Sequence, residues 1–399
     1  MVAGGIILAL RVAEGVYWVG AVDWNLRFCG SYTTPLGTSY NAYLVVNGKT
    51  ALIDTVKGTH TMEMVGRIKS VVDPAKIDYF IVNHAELDHA GAFKEVLRIA
   101  PNAEIICSDR GRDSLKGHFD FDRDLTTVKT GDELNIGKRN LVFIEARMLH
   151  WPDNMMTYLK EDHILFSNDP FGQHLATSQR FVDELDEEFV MDHAARYYAQ
   201  IVMPYSQLVL KKLEEVKSLN VPVDMICPAH GLIWRKNPER ILRAYERWAK
   251  GEAEDKAVIY FDTMWGSTDL MAREIARGLT DSGIPVTVYN TRASEWGLMA
   301  RDLLLSKIVL VGSATLNMTM MPSVAGILAF FKSLRPPPKI ASAFGSFGWG
   351  GGAVRDIINM LKEMKFNVIE PGLQFKWVPR EDQLKECYEF GKQIAQKIK

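Results

Sequence analysis

The heptapeptide Asn83-His84-Ala85-Glu86-Leu87-Asp88-His89 follows directly on the β-branched and aromatic run at residues 77–82, and it constrains this chain more than any other stretch. Two imidazoles and two carboxylates are packed into one tight turn where a buried strand ends. Without a cation between them these groups would repel and desolvate one another, so a metal site is the economical reading. A polar strand-to-helix turn capped by Asp88 is the plain alternative. It suits a lone His-x-Glu better than it suits His-x-Glu-x-Asp-His after an apolar strand.

A chain of 399 residues has room for two or three domains, each able to bury its own core. Hydrophobic residues at 47% and charged residues at 24% argue against disorder or a repeat array. With a formal net charge of -2 there is no basic excess to hold nucleic acid or an anionic membrane, so neither partner is expected. Cys29, Cys107, Cys227 and Cys387 form no C-x-x-C pair, which points away from disulfide and zinc-ribbon scaffolds and toward a reducing, cytoplasmic setting. The apolar start at residues 1–10 has no basic region before it and is too short to cross a bilayer; it reads as a leading strand.

Strands alternate with helices along the first part. Residues 15–19 are β-rich, and residues 42–46 and 50–53 flank Asn47-Gly48, the signal for a hairpin with a type I′ turn. Helical spacing is expected over residues 60–72 and 91–100, with a strand at 103–107 between the second of these and a polar stretch. Residues 141–144 lead to His150, residues 164–166 lead to Asp169, and residues 224–226 lead to His230. Residues 196–216 read as mostly helical despite Pro204, residues 237–253 as a charged helix, and residues 251–256 as a linker. Polar groups gathered at strand ends describe an α/β sandwich with a site along one rim.

From residue 257 the rhythm becomes a regular βα alternation, with strands at 257–261, 286–289, 307–311 and 340–344 and helices at 267–279, 353–364 and 380–398. That is the pattern of a doubly wound parallel sheet, which binds ligands at the carboxyl ends of its strands. The expected division is residues 1–250 and 251–399.

Four histidines, His84, His89, His150 and His230, follow predicted strands, and with Glu86, Asp88 and Asp169 they make seven candidate ligands. That set is too large for one tetrahedral ion and suits two ions sharing a carboxylate. The pattern resembles the metallo-β-lactamase fold, and more narrowly it is similar to the flavodiiron proteins, which join that fold to a flavodoxin-like domain. Glu86 stands where β-lactamases and glyoxalases usually have a second histidine, a harder and more anionic donor that shifts preference from zinc toward iron. The resemblance implies an N-terminal metallo-β-lactamase-like αββα sandwich joined to a C-terminal flavodoxin-like sheet. It also implies one iron on His84, Glu86, His150 and a bridging Asp169, with a second on Asp88, His89, His230 and the same Asp169. His174 is expected to orient a ligand or line the pocket. Of Tyr197 and Tyr198, which resemble the segment that places a hydroxyl over the metals, Tyr198 is favoured, since adjacent helical side chains point about 100° apart and only one can face the site.

Asp262-Thr263-Met264-Trp265-Gly266-Ser267-Thr268 opens a helix after a strand. Its hydroxyls at Thr263, Ser267 and Thr268 and its backbone N–H groups make a phosphate cradle. It resembles the flavodoxin phosphate loop, departing from it where Trp265 replaces a hydroxyl. Two more loops, Ser313-Ala314-Thr315-Leu316-Asn317 and Ser346-Phe347-Gly348-Trp349-Gly350-Gly351, would flank an isoalloxazine, glycines allowing close approach and Phe347 or Trp349 giving a flat wall. No G-x-G-x-x-G with a following acidic residue is present, so FMN is favoured over a dinucleotide.

The resemblance implies reduction of O2 to water, of NO to N2O, or both, with electrons relayed through FMN from a separate donor such as rubredoxin or reduced coenzyme F420. It also implies a head-to-tail homodimer or a dimer of dimers. The competing classes are a dinuclear zinc hydrolase with the flavodoxin-like part as regulator, and an electron carrier with a vestigial metal site. Metal analysis separates the first, and flavin reoxidation by O2 after metal loss separates the second.

Overall fold

The computed structural model describes residues 7–28, 32–218 and 221–398. Residues 1–6 of the expected leading strand, and Cys29, lie outside the described residues; the first strand is Leu10–Ala13. The chain divides into two compact units. One is built from the described residues up to Arg27, Thr34–Tyr197 and Gln207–Tyr245; the other from Glu246 onward with Tyr198–Ser206 and the short stretch before Thr34.

Two sheets form the first unit. In the seven-stranded sheet, Leu10–Ala13, Val16–Trp18, Tyr43–Asn47 and Lys49–Ile53 pair antiparallel in turn, and Tyr79–Val82, Glu104–Ser108 and Leu125–Val128 continue it in parallel. The five-stranded sheet runs Glu133–Asn135, Asn140–Glu145, Met155–Leu159, Ile164–Asn168 and Met225–Pro228. Its first three pairings are antiparallel and the last is parallel. Two antiparallel steps restore direction, so Asn140–Glu145, Ile164–Asn168 and Met225–Pro228 all run the same way. Their carboxyl ends therefore share one rim.

The apolar run before the heptapeptide is explained by burial on both faces. Along Tyr79–Val82 the side chains alternate: Tyr79 and Ile81 pack with Leu141, Phe143 and Phe166 of the second sheet, whereas Phe80 and Val82 pack with Met64, Phe93 and Val96 of the covering helices. A strand clad on both sides has no polar face, which is why it reads as a continuous hydrophobic stretch. Helices Thr61–Lys69 and Phe93–Ile99 supply that cover.

Several local expectations change. The hairpin at residues 43–53 forms, but Gly48 alone carries a positive φ (67°), and Asn47 pairs directly with Lys49. The Asn47 carboxamide instead accepts from the Lys138 amide at 2.7 Å, which fixes it in the strand rather than in a type I′ turn. The expected long helix around Pro204 is broken into Glu187–Tyr197, a wide turn at Tyr198–Val202, a tight one at Met203–Tyr205, and Ser206–Ser218. Proline lacks the N–H that an uninterrupted helix needs there. The linker expected at residues 251–256 is shorter, because Glu254 already pairs with Ser306 and opens the strand Glu254–Asp262.

The second unit is a parallel sheet in the order Val286–Asn290, Glu254–Asp262, Ser306–Leu316, Ile340–Phe347, with Asn367–Val368 and Leu373–Lys376 beyond. The chain reverses its direction of travel across the sheet at Glu254–Asp262 and Ser306–Leu316, the switch point at which such sheets open a crevice. Ala257, Ile259, Phe261, Ile308 and Leu310 face the helices Ser267–Asp281 and Glu381–Ala395. On the other face Tyr260 packs on Phe331 and donates to Met299 O at 2.7 Å. Among the described residues no helix is long and apolar enough to cross a membrane.

Truncating Ile81, fully buried between the two sheets of the first unit, to alanine is expected to cost about 2–5 kcal/mol. Truncating Met62, 70% exposed, should change stability by less than about 0.5 kcal/mol. Urea unfolding followed by tryptophan fluorescence measures both; equal effects would contradict the two-sided burial of the Tyr79–Val82 strand.

Candidate metal centre and flavin cleft

The strand ends bring all seven predicted ligands together. Tyr79–Val82 delivers His84 and Glu86, and the one-turn helix Leu87–Ala90 carries Asp88 and His89. The loop between Asn140–Glu145 and Met155–Leu159 holds His150, Asp169 directly follows Ile164–Asn168, and His230 lies just past Met225–Pro228.

Asp169 sits at the centre and divides the set in two. Its Oδ2 lies 3.7 Å from His84 Nε2 and 3.5 Å from His150 Nε2, and both of those nitrogens are 3.3 Å from Glu86 Oε2. Its Oδ1 lies 3.1 Å from His89 Nε2 and 3.6 Å from His230 Nε2, while Asp88 reaches the same two nitrogens at 3.4 and 3.3 Å. Two groups of donor atoms, His84, Glu86, His89 and Asp169, and Asp88, His89 and His230, each fall within 4.8 Å of one another.

The chemistry of the donors fits cations. His84 Nδ1 donates to Asp153 Oδ2 at 2.8 Å, and His230 Nδ1 donates to Ser39 O at 2.8 Å. In a neutral ring the lone pair then lies on Nε2, aimed at carboxylates. That arrangement is repulsive unless a proton or a metal intervenes. His89 Nε2, Asp88 Oδ1 and Asp169 Oδ2 are buried and make no hydrogen bond, although each belongs to this cluster. Burial alone would raise the Asp169 carboxyl and lower the His84 imidazole. The surrounding histidines outweigh burial and hold Asp169 well below its usual range, and hydrogen bonds to Asp153 and Glu86 hold His84 well above its own.

A buried polar frame sets these ligands. Asp54 accepts from Asn83 N at 2.7 Å, Asn83 Nδ2 at 3.1 Å and Asn168 Nδ2 at 3.2 Å, so it ties together the residues that precede His84 and Asp169. Asp153 also accepts from the Ala85 amide at 2.7 Å. Asp153 escaped sequence reasoning, although it stands only three residues past His150. The partner of His230, a backbone carbonyl, leaves no trace in residue type.

Tyr197, not Tyr198, faces the cluster. The Tyr197 hydroxyl donates to Asp169 Oδ1 at 2.9 Å, whereas Tyr198 pairs with Ser206 Oγ at 2.8 Å and packs on Trp248 at 5.3 Å. Only one of the two points at the site, as expected, but it is Tyr197, the last residue of Glu187–Tyr197, and not Tyr198, which opens the wider turn. His174 lies where a pocket-lining residue was expected, its ring 4.8 Å from His230 and 4.9 Å from Tyr197, with Nδ1 3.0 Å from Thr38 Oγ1. Burial and the neighbouring His230 push it down to about 3, so it stays neutral.

In the second unit a cleft of about 300 Å³ opens at the switch point. It is lined by Met264, Trp265 and Ser267 from the first loop, by Ala314, Thr315, Leu316 and Asn317 from the second, and by Ser346, Phe347, Gly348 and Trp349 from the third. Trp377 and Val378, which follow Leu373–Lys376, complete it and were not foreseen. Trp265 and Trp349 are 89% and 88% exposed, an unusual state for tryptophan that suits a flat apolar ligand. A side chain at Gly348 would meet the Trp377 ring at 2.9 Å, so glycine there admits the indole. Gly266, at φ 92°, caps Ser267–Asp281 with its amide on Thr263 Oγ1 at 3.0 Å, leaving the helix N-terminus open as an anion cradle.

Other expected flavin residues sit behind the wall. Ser313 is fully buried, bonded to Ala314 O and the Met321 amide, and buried Thr268 pairs with Ser346 Oγ at 3.0 Å. Ser313 is on a strand, whose geometry turns every second side chain inward, and Thr268 is on the buried face of the helix Ser267–Asp281. Gly350 and Gly351 are not among the residues that line the cleft; a side chain at Gly350 would meet Met318 at 2.8 Å and one at Gly351 would meet Gln374 at 3.3 Å.

Replacing Asp153 with alanine is expected to lower metal affinity about 10–100-fold by freeing the His84 ring. Replacing Trp349 with alanine is expected to weaken FMN binding roughly tenfold, the scale of one aromatic wall. Chelator competition and flavin fluorescence titration read the two independently. Unchanged iron retention in the first variant would show that Asp153 does not hold the ligand.

Comparison with known proteins agrees with this geometry. Residues 38–231 match the family described as ODP family beta lactamase, and residues 259–391 match the flavodoxin family. The chain is 47% identical to a nitric oxide reductase of Moorella thermoacetica over 98% of both chains. It is 43% identical to the anaerobic nitric oxide reductase flavorubredoxin of Escherichia coli K12, covering 97% of this chain and 82% of that one. Among solved structures, rubredoxin oxygen:oxidoreductase from Desulfovibrio gigas superposes with a TM-score of 0.95 at 38% identity over 98% of both chains. The flavodiiron protein of Giardia intestinalis gives 0.95 at 36% over 99% of this chain and 97% of that one. A metallo-β-lactamase-like sandwich with seven converging donors, a flavodoxin-like sheet with its aromatic cleft, and similarity along nearly the whole chain make this protein a member of the flavodiiron family of oxidoreductases.

Proposed function

We propose that the chain reduces NO to N2O, O2 to water, or both, at two iron ions, with electrons relayed through FMN. His84, Glu86, His150 and Asp169 would hold one ion, and Asp88, His89, His230 and Asp169 the other. The observation that carries this reading is the division of Asp169, one carboxylate oxygen toward each trio of donors. Residues 1–250 would form the metal-bearing domain and residues 251–399 the flavin-bearing one. Relatives named for nitric oxide reduction and a neighbour named for oxygen reduction support the choice of substrates.

When bound, FMN passes electrons singly or in pairs and two ferrous ions supply two more, about the four that O2 needs and more than the two needed by a pair of NO molecules. The protein's own part is to position and to exclude. Asp153 and Ser39 O keep the Nε2 atoms of His84 and His230 turned to the cluster. Tyr197 keeps its proton, because burial and the Asp169 carboxylate push its phenol far above the usual range, and its hydroxyl is a fixed donor beside Asp169. The neutral His174 ring closes the wall next to His230 and Tyr197. In the second unit Trp265, Trp349 and Trp377 would sandwich the isoalloxazine, and the N-terminus of Ser267–Asp281 would take its phosphate.

The working unit in this reading is a cytoplasmic head-to-tail homodimer, or a dimer of dimers, reduced by a separate donor of the rubredoxin or reduced coenzyme F420 type. The near-complete exposure of Trp265 and Trp349 in the single chain supports a covering partner at the flavin.

The test is anaerobic prereduction followed by a measured dose of NO or O2, with iron and FMN quantified in the same sample. Two irons and one FMN per chain and rapid gas consumption lost on chelation are expected. Zinc in place of iron, with hydrolysis of a thioester or phosphodiester, would overturn the reading; so would gas consumption that survives metal removal. Dilution below the dimer dissociation range should abolish turnover, and a monomer retaining full activity would refute the dimer.

A further inference from the structure

We propose that Asn41 is a positioning residue for His230, setting the occupancy of the metal position formed with Asp88 and His89. The inference rests on the assignment of His230 as a ligand. The loop at residues 228–231 is wrapped by the segment at residues 38–43, and Asn41 is the centre of that contact. Its amide nitrogen donates to Ala229 O at 2.7 Å, and its side-chain Nδ2 donates to Pro228 O at 2.8 Å and to Gly231 O at 3.0 Å. Its Oδ1 accepts from Trp18 Nε1 at 2.8 Å. His230 is therefore bracketed on both sides by carbonyls that a single side chain holds.

The partners also fix which way the carboxamide points. Backbone carbonyls only accept and an indole N–H only donates, so the amide has one satisfying orientation. Asn41 is 1% exposed, and water has no access to replace a lost bond. Trp18 is itself immobilised, its ring lying 4.7 Å from the Arg67 guanidinium and 4.9 Å from that of Arg180. Tyr43 adds a second donor to Pro228 O at 2.8 Å, and the Gly231 amide donates to Ser39 Oγ at 2.8 Å. The His230 ring donates to Ser39 O, so loop and ring are registered against the same segment. A shift of Asn41 moves the ring's anchor and the loop that carries it together.

Asn41→Asp keeps the size and the Trp18 bond but sets carboxylate oxygen against two carbonyl oxygens. Asn41→Leu keeps the branch at Cγ, adds methyl bulk and removes every side-chain bond. Both Asn41→Asp and Asn41→Leu are expected to lower iron content from about two to about one per chain, with FMN content unchanged. Mössbauer spectra of the purified variants should lose one of two subspectra rather than half of each. Trp18→Phe, which removes the indole N–H bonded to Asn41 Oδ1 together with part of the ring, should release one iron to a chelator at least tenfold faster than the parent while still folding. Leu159→Ala, a buried truncation between the sheets that touches none of these hydrogen bonds, should lower thermal stability comparably and keep two irons.

His230→Ala separates the two ideas. Loss of one iron there, with full iron and unchanged release rates in both Asn41 variants and in Trp18→Phe, would overturn the role of Asn41 alone. Retention of both irons in His230→Ala would overturn the ligand assignment itself. Should Asn41→Leu fail to fold, the chelator kinetics of Trp18→Phe decide the question: a parent-like rate overturns the proposal.

Discussion

One buried carboxylate organises the first unit. Asp169 shows an oxygen to His84 and His150 on one side and an oxygen to His89 and His230 on the other, and almost none of it reaches solvent. A charge in that position is costly unless it is paired on every side. The arrangement of four strand ends around it follows from that need. Three strands of the smaller sheet run in one direction and bring His150, Asp169 and His230 to one rim, and Tyr79–Val82 of the larger sheet ends opposite them.

The frame behind the ligands is as exacting as the ligands themselves. Asp54 takes three hydrogen bonds from Asn83 and Asn168, residues whose chain neighbours are His84 and Asp169. Thr157 donates to Asn83 Oδ1 at 2.8 Å and Asn154 to Asn168 Oδ1 at 3.1 Å, so the frame also reaches the strand after His150. A hydrogen-bonded polar network in a dry interior resists displacement, because moving any member strands a buried donor or acceptor. That rigidity keeps donor atoms at metal-ligating distances from one another, at a cost in desolvation that side chains on a surface loop would not bear.

The flavin cleft works by the opposite means. Its wall is apolar and exposed, with Trp265, Trp349, Trp377 and Val378 standing out from loops at the switch point of a parallel sheet. Hydroxyls that sequence reasoning assigned to the ligand, Ser313 and Thr268, are spent on holding the loops. Polar atoms behind such a cleft bond within the protein first, because a buried hydroxyl without a partner is costly.

The sequence by itself determined the fold class and the seven-donor set. The heptapeptide after a doubly buried strand and the βα rhythm from residue 257 are local patterns, written in periodicity and residue type. Even the departure of Glu86 from the usual histidine could be read directly. Tertiary structure decided what depends on partners distant in the chain. It chose Tyr197 over Tyr198, because the Asp169 carboxylate meets the first hydroxyl and Ser206 meets the second. It also brought Asp153 to His84, Ser39 and Asn41 to the His230 loop, and Trp377 to the flavin wall. A side chain's type and spacing report the element it sits on. The atom it bonds across about 190 residues, as Asn41 does to Gly231, is fixed only when separate strand ends meet in space.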